Sequence, residues 1–429
     1  MKTYAICGVS YRALKMFIDP IVNGYKHHCR IVALLDVDPV RFEVCKTAYP
    51  ALEEVPVYLP ENFKAMIQQT DPDVVIVAGI DSSHVGYIVQ ALDWDRDVIT
   101  EKPMVTTSGD CRLVLDAESR SKGRITVALN YRYTPIHTKI KEMLLDNRIG
   151  RITSVDLNWY LDSYHGASYF KRWNRTRAQS GGLSIHKSTH HFDLVSWWVG
   201  AEPVEAFAYG ALNYYGSEGE LNPKKGVEGR HCGTCNVKEN CTYMMRWTSR
   251  SREIAVKDDH LVEGNTNGSG RFFTDYRPDA CIFDSEIDIE DTFAAVVKYE
   301  GNVFLNYSVN FSLPYEGYRL AINGTKGRIE TQMYHSSRIT FPVPAQTIDY
   351  FPLFGSKESI SVVPAPGMHS GADPMMQEHL FLGPDPTGPH DRLPSALDGA
   401  YSVATGEAVW RSAREGLPMR IAELLSGTD

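Results

Sequence analysis

Along roughly the first 130 residues, short apolar and β-branched runs alternate with amphipathic ones. Thr3–Val9, Ile31–Asp36, Val74–Ile80, Asp97–Thr100 and Ile125–Asn130 read as strands. Ser83–Trp94 reads as one of the helices between them, with Val85, Ile88, Val89 and Leu92 forming an apolar face. Buried strands separated by helices predict βαβ units and a doubly wound parallel sheet. After about residue 150 the period changes. Ile152–Tyr160, Val204–Leu212, Phe293–Tyr299, Val303–Phe311 and Tyr318–Asn323 follow one another with little helix, the last pairs joined by short turns at Glu300-Gly301-Asn302 and Pro314-Tyr315-Glu316-Gly317. This pattern predicts an α+β unit built on an open, mainly antiparallel sheet. The division expected is 1–130 and 131–429, with a polar, aperiodic insertion over 213–279 and a C-terminal helix over 396–414.

Composition narrows the function classes. The chain has 429 residues, 43% hydrophobic and 23% charged, with a formal charge of −9 and no Lys/Arg run. Nucleic acid and anionic membranes are therefore not expected partners. No apolar run approaches the ~20 residues that span a bilayer. The N-terminus enters strand-like sequence at once, leaving no room for a signal peptide. Eight cysteines, most of them far apart, suit free thiols in a reducing, cytoplasmic setting.

The first strand ends in Cys7-Gly-Val-Ser-Tyr-Arg-Ala13, which places Gly8, Ser10 and Ala13 at the three small positions of a dinucleotide loop. Such a loop turns tightly, admits a pyrophosphate and presents a helix N-terminus to it. The second strand ends at Asp36, whose carboxylate can accept both ribose hydroxyls of NAD and would repel the 2′-phosphate of NADP. NAD is the expected cofactor.

Further chemistry clusters in four places. VITEKP ends a strand with Glu101, Lys102 and Pro103; neighbouring residues in a strand point to opposite faces, so the two charges serve different partners. Ser184–Val199 reads as one helix with His186, His190, Asp193 and Trp197 on a single face. There His190 can orient or relay a hydroxyl proton and Asp193 can fix its tautomer. The same His186/His190/Asp193 face could instead hold a divalent metal, which would imply a metal-dependent lyase, epimerase or hydrolase. His165 to Trp173, including Tyr169, mixes aromatic and cationic groups in a non-periodic loop suited to a sugar ring, and Met368-His-Ser-Gly-Ala-Asp373 has a similar character. Cys232, Cys235 and Cys241 have the spacing of a structural zinc knuckle, with His231, His260 or Cys281 as a fourth ligand.

Several of these pieces fall into one pattern. Gly8-Val-Ser-Tyr-Arg-Ala13, Asp36, Asp81-Ser-Ser-His84, Glu101-Lys-Pro103, Asn130-Tyr-Arg132 and the segment from Gly181 to Asp193 resemble the Gfo/Idh/MocA family, the relatives of glucose–fructose oxidoreductase and inositol dehydrogenase. The resemblance implies a Rossmann domain followed by a substrate and oligomerisation domain, and a homo-oligomer acting on a sugar, glycoside or polyol hydroxyl. It further implies cofactor contacts at Gly8, Ser10, Tyr11, Arg12, Asp36, Asp81, Ser83, His84, Glu101, Lys102 and Asn130. Substrate contacts would come from Lys102, Arg132, His165, Tyr169, Trp173, His186 and His190, and catalysis from Lys102, His190 and Asp193. The Lys102–Pro103 peptide is expected to be cis. His186 and Ser188 stand where the family usually has Asp and Gly. Lys102 is a competent base near neutral pH only if burial and the nicotinamide charge lower its pKa. Two other functions fit the residues: a glycoside-processing enzyme that oxidises transiently and returns the hydride, and a non-catalytic NAD sensor.

Overall fold

The computed structural model describes residues 1–232, 235–241, 243, 279–335, 346–383 and 393–427. The six strands of the first sheet are β1 (Lys2–Cys7), β2 (Cys29–Leu35), β3 (Val57–Tyr58), β4 (Val74–Val77), β5 (Asp97–Thr100) and β6 (Ile125–Val127). They pair in parallel in the order β3-β2-β1-β4-β5-β6. The central strand β4, Val-Val-Ile-Val, is buried along its whole length, as a strand covered by helices on both faces must be. Strand order reverses between β1 and β4, so the loops leaving these strands diverge and open a crevice at their C-terminal ends. Gly8, Asp81 and the Glu101–Lys102 pair follow β1, β4 and β5.

The second sheet has nine strands: β7 (Ile152–Asp162), β8 (Pro203–Ala211), β9 (Thr292–Tyr299), β10 (Val303–Leu313), β11 (Glu316–Gly324), β12 (Gly327–His335), β13 (Gln346–Pro352), β14 (Glu358–Val362) and β15 (Met419–Arg420). Their order is β14-β13-β12-β11-β7-β10-β9-β8-β15. Only the central β7/β10 pair is parallel. In β9, buried and exposed residues alternate strictly, so one face carries the core and the other is open.

The helix Ala396–Glu415, predicted over 396–414, begins with a reciprocal Ser395/Asp398 capping box. It packs on β8, while Ala396, Ala400 and Val403 enter the core of the first sheet. The insertion is anchored at its start, where the backbone N–H groups of Asn213, Tyr214 and Tyr215 donate to the Asp291 carboxylate. Residues 244–278 lie outside the described residues. Among the described residues no helix is long and apolar enough to cross a membrane.

Candidate functional site

The loop after β1 is built for close approach. Gly8 has φ +94°, and a Cβ there would lie 2.4 Å from the backbone nitrogen of Gly79 at the end of β4. No other residue fits this crossing. Ser10 caps the helical segment 11–24, its Oγ accepting from the Ala13 N–H at 3.1 Å and donating to the Ala78 carbonyl at 2.8 Å. Tyr11 starts that helix, so its first-turn N–H groups face the crevice mouth. Asp36 accepts from the Val9 N–H at 2.6 Å and the Asp38 N–H at 2.9 Å, while burial pushes its carboxyl above the ordinary value. The sequence places no Arg beside Asp36, but the fold brings Arg41 Nε within 3.7 Å of it. A tight glycine turn, a helix N-terminus and a carboxylate at the end of β2 fit a dinucleotide.

The adjacent charges after β5 do have separate partners. Glu101 accepts from Arg12 Nε at 2.6 Å. Lys102 Nζ donates to the backbone carbonyl of His186 at 2.9 Å. The Lys102–Pro103 peptide is cis. Desolvation lowers the Lys102 amine from its ordinary value to about 8, partly opposed by the Asp81 carboxylate. Arg12 turns inward, clamping Asp373 at 2.6 and 3.2 Å as well as Glu101. Asp373 also accepts from Asn130 and pairs with His369, which joins Ser370 at positive φ (52° and 56°) in a strained turn. The 368–373 segment is thereby brought to the same network.

The segment 184–199 is not the single helix its periodicity predicts. Leu183–His186 and Thr189–Val199 are separate helices, broken at Lys187–Ser188, where Ser188 Oγ donates to the Leu183 carbonyl and accepts from Tyr307. The shared face of His186, His190 and Asp193 is lost with it. His186 Nδ1 meets Asp81 Oδ2 at 2.5 Å, so the histidine standing at the family's Asp position acquires a carboxylate from the loop after β4. Asp193 does not fix the His190 tautomer; it receives Arg132 through Nε at 2.9 Å and Nη2 at 2.5 Å. Both are almost fully buried, and a buried guanidinium requires such a carboxylate. Arg132 also reaches Asp398, so it braces the core and does not face a substrate.

His190 stacks on Tyr131 with centroids 4.1 Å apart and planes within 9°, and its Nδ1 is buried without a hydrogen-bond partner. Burial, with Lys102 and Lys187 nearby, drives its pKa well down, so the ring is neutral. The expected loop 165–173 is largely the helix Ser163–Lys171, capped by Asp162. His165 bonds Glu316 at 2.7 Å and Tyr169 at 2.9 Å, while Trp173 and Tyr169 lie edge-on to His186. Two cofactor candidates are bonded to backbone carbonyls. The His84 ring nitrogens meet the Pro103 and Gly79 carbonyls, and Ser83 Oγ donates to the Ile80 carbonyl.

Neither metal expectation is supported. Among the described residues no group of three or more His, Cys, Asp or Glu side chains is placed to hold a metal ion. His186, His190 and Asp193 are each turned to different partners. All eight cysteines are free, and burial pushes the Cys232 thiol up to about 11. His260 lies outside the described residues.

The sequence did not single out Tyr131, Arg41 or Lys187. Lys187 Nζ donates to the Tyr131 hydroxyl at 2.9 Å, directly behind the ring that covers His190.

Comparison with known proteins agrees with this geometry. Residues 2–129 match the family model "Oxidoreductase family, NAD-binding Rossmann fold", and 141–421 match "Oxidoreductase family, C-terminal alpha/beta domain". YteT of Bacillus subtilis (strain 168), an oxidoreductase by name, is 58% identical over 425 residues, 99% of each chain. An inositol 2-dehydrogenase of Rhizobium meliloti (strain 1021) is 26% identical over 183 residues, 43% of this chain and 51% of the relative. The fold is similar to that of an aldose-aldose oxidoreductase from Caulobacter crescentus complexed with glycerol, at TM-score 0.64 and 19% identity, covering 98% of this chain and 99% of that one.

Proposed function

Because the chain belongs to the Gfo/Idh/MocA family of NAD-binding oxidoreductases, we propose that it oxidises a hydroxyl of a sugar, glycoside or polyol with NAD, Lys102 serving as the acid/base and His190 sharing the hydroxyl. The observation that carries this reading is the amine at the end of β5. It is lowered to about 8 and anchored by the His186 carbonyl, next to a neutral histidine with an unpartnered ring nitrogen. Proton transfer is efficient when the base has a pKa near the working pH.

Gly8, Ser10, the N-terminus of the helix at Tyr11 and Asp36 are the groups that would hold the dinucleotide, and NAD supplies the hydride acceptor when bound. Lys102 takes the hydroxyl proton as neutral amine, and the His186 carbonyl steadies the ammonium that results. His190 Nδ1 is available to the same hydroxyl. Arg12 pairs with Glu101 and opposes the pull of that carboxylate toward the protonated Lys102. Tyr209, Val296 and Phe304 leave exposed apolar surface on the open sheet, which supports a second copy of the chain covering that face.

The test is incubation of the purified protein with NAD and a panel of sugars, glycosides and polyols, following reduced nicotinamide and aglycone release together. Reduction of NAD by a hydroxylated substrate, lost in Lys102→Ala, is the expected result. Aglycone release without net NAD reduction would shift the reading to transient oxidation. No change with any member of the panel would overturn it.

A further inference from the structure

Lys187 lies at the break between the helices Leu183–His186 and Thr189–Val199 and is only 6% exposed. Its ammonium has three donors, and among the described residues its one hydrogen bond is to the Tyr131 hydroxyl at 2.9 Å, with the same ring 5.3 Å from it. Among the described residues no carboxylate lies within ion-pair distance of it, because the neighbouring acids are already engaged. Asp81 is held by His186, Glu101 and Asp373 by Arg12, and Glu316 by His165. The other charged groups around it are of both signs: Lys102 and Arg172 bear on His186 as Lys187 does, while the Glu316 carboxylate, already bonded to His165, favours the Lys187 ammonium from a distance. Burial opposes the charge on Lys187, but Tyr131, Tyr169 and the more distant Glu316 carboxylate outweigh it, so the amine stays protonated.

A buried ammonium with two donors unused and no carboxylate in direct contact among the described residues is equipped to receive an anionic acceptor. We propose that Lys187 receives a carboxylate of the substrate, making the preferred substrate a sugar acid or other carboxylate-bearing polyol. This rests on the dehydrogenase reading above. Tyr131 links the two halves of the site. Its ring covers His190, beside the reacting hydroxyl, and its hydroxyl holds Lys187, so a substrate extended along the ring meets both. The two unused donors of the ammonium suffice for the two oxygens of a carboxylate.

The experiment compares matched pairs, each a neutral sugar, its uronic or aldonic acid and its phosphate ester, as NAD-linked substrates. It also measures their equilibrium binding to the protein loaded with NADH. The wild-type protein is expected to favour the acid over the neutral partner by about 10- to 100-fold in kcat/KM, the scale of one charge-assisted hydrogen bond. Lys187→Met should remove that preference in KM and in binding of the acids to the NADH complex, and Lys187→Arg should restore part of it. Neutral sugars turned over as well as their acids, or phosphates preferred over both, would overturn the proposal while leaving the dehydrogenase reading intact. Failure of every compound to reduce NAD, with no acid binding to the NADH complex, would remove both.

Discussion

Replacing Lys102 with alanine should abolish most of the hydride-transfer rate while leaving NAD affinity within a few-fold. The magnitude follows from where the amine sits. Desolvation brings it from an ordinary 10.5 to about 8. At pH 7 about one amine in ten is then neutral, against about three in ten thousand for an ordinary lysine. A positioned base contributes typically about 10²–10⁴-fold, and that is the loss expected. The parent rate should climb about tenfold per pH step below 8 and level above it, because only the unprotonated amine can accept the hydroxyl proton. Lys102→Arg should not rescue the rate, since a guanidinium remains charged. Asp81→Asn should move the inflection to lower pH, because the Asp81 carboxylate favours the ammonium. The assay is single-turnover reduction of bound NAD by rapid mixing, with a deuterated substrate to isolate the hydride step and calorimetry for cofactor affinity. A Lys102→Ala protein within tenfold of the parent, or a flat profile between about pH 6 and 9, would refute the reasoning and pass the proton to His190.

Three other outcomes are expected. NAD should bind more tightly than NADP, and Asp36→Ala should narrow the gap by calorimetry, because it removes the acceptor and leaves Arg41, now 3.7 Å from that carboxylate, free for a phosphate. Asp193→Ala should cost about 3 kcal/mol in urea unfolding, by removing the bidentate carboxylate of the buried Arg132 guanidinium and leaving it only Asp398; a change in rate without a change in stability would return Asp193 to the catalytic machinery. Gly8→Ala should weaken NAD binding at least tenfold, about 1.4 kcal/mol, since its Cβ would sit 2.4 Å from the Gly79 nitrogen; unchanged affinity would mean that this crossing does not shape the cofactor loop.

What the sequence makes legible are features carried by neighbours in the chain. Strand β4 reads plainly because a strand buried on both faces is an unbroken β-branched run. The dinucleotide loop reads from its small residues, and the C-terminal helix from its period and its Ser395/Asp398 cap. Strand β3 is too short, at two residues, to show a period, and the edge strand β14 is mostly polar. The helix Ser163–Lys171 passes for a loop because aromatic and polar residues fall on all its sides, although Asp162 signals its start. The break at Ser188 depends on Tyr307, 119 residues away. Likewise Asp193 reads as a catalytic partner of His190 until Arg132, 61 residues upstream, is brought against it. Periodicity cannot tell which of two nearby groups a carboxylate will pair with.

The network around Arg12 shows how such distant pairs act together. Its guanidinium is fixed by Glu101 after β5 and by Asp373 from the C-terminal part of the chain, 361 residues on. Asp373 remains ionised although burial opposes it, because His369 and Arg12 hold its carboxyl below the usual carboxylate range. That ionised acid pins Arg12, and Arg12 in turn occupies the charge of Glu101. Lys102, the next residue, is then left with a carbonyl as its direct partner and with Asp81 as the carboxylate bearing most strongly on it. The low pKa of the amine is therefore a property of both sheets together: one delivers the lysine, and the chain beyond the other keeps the adjacent carboxylate occupied. A strained turn at His369–Ser370 is tolerable in that position because it carries the histidine that completes the clamp.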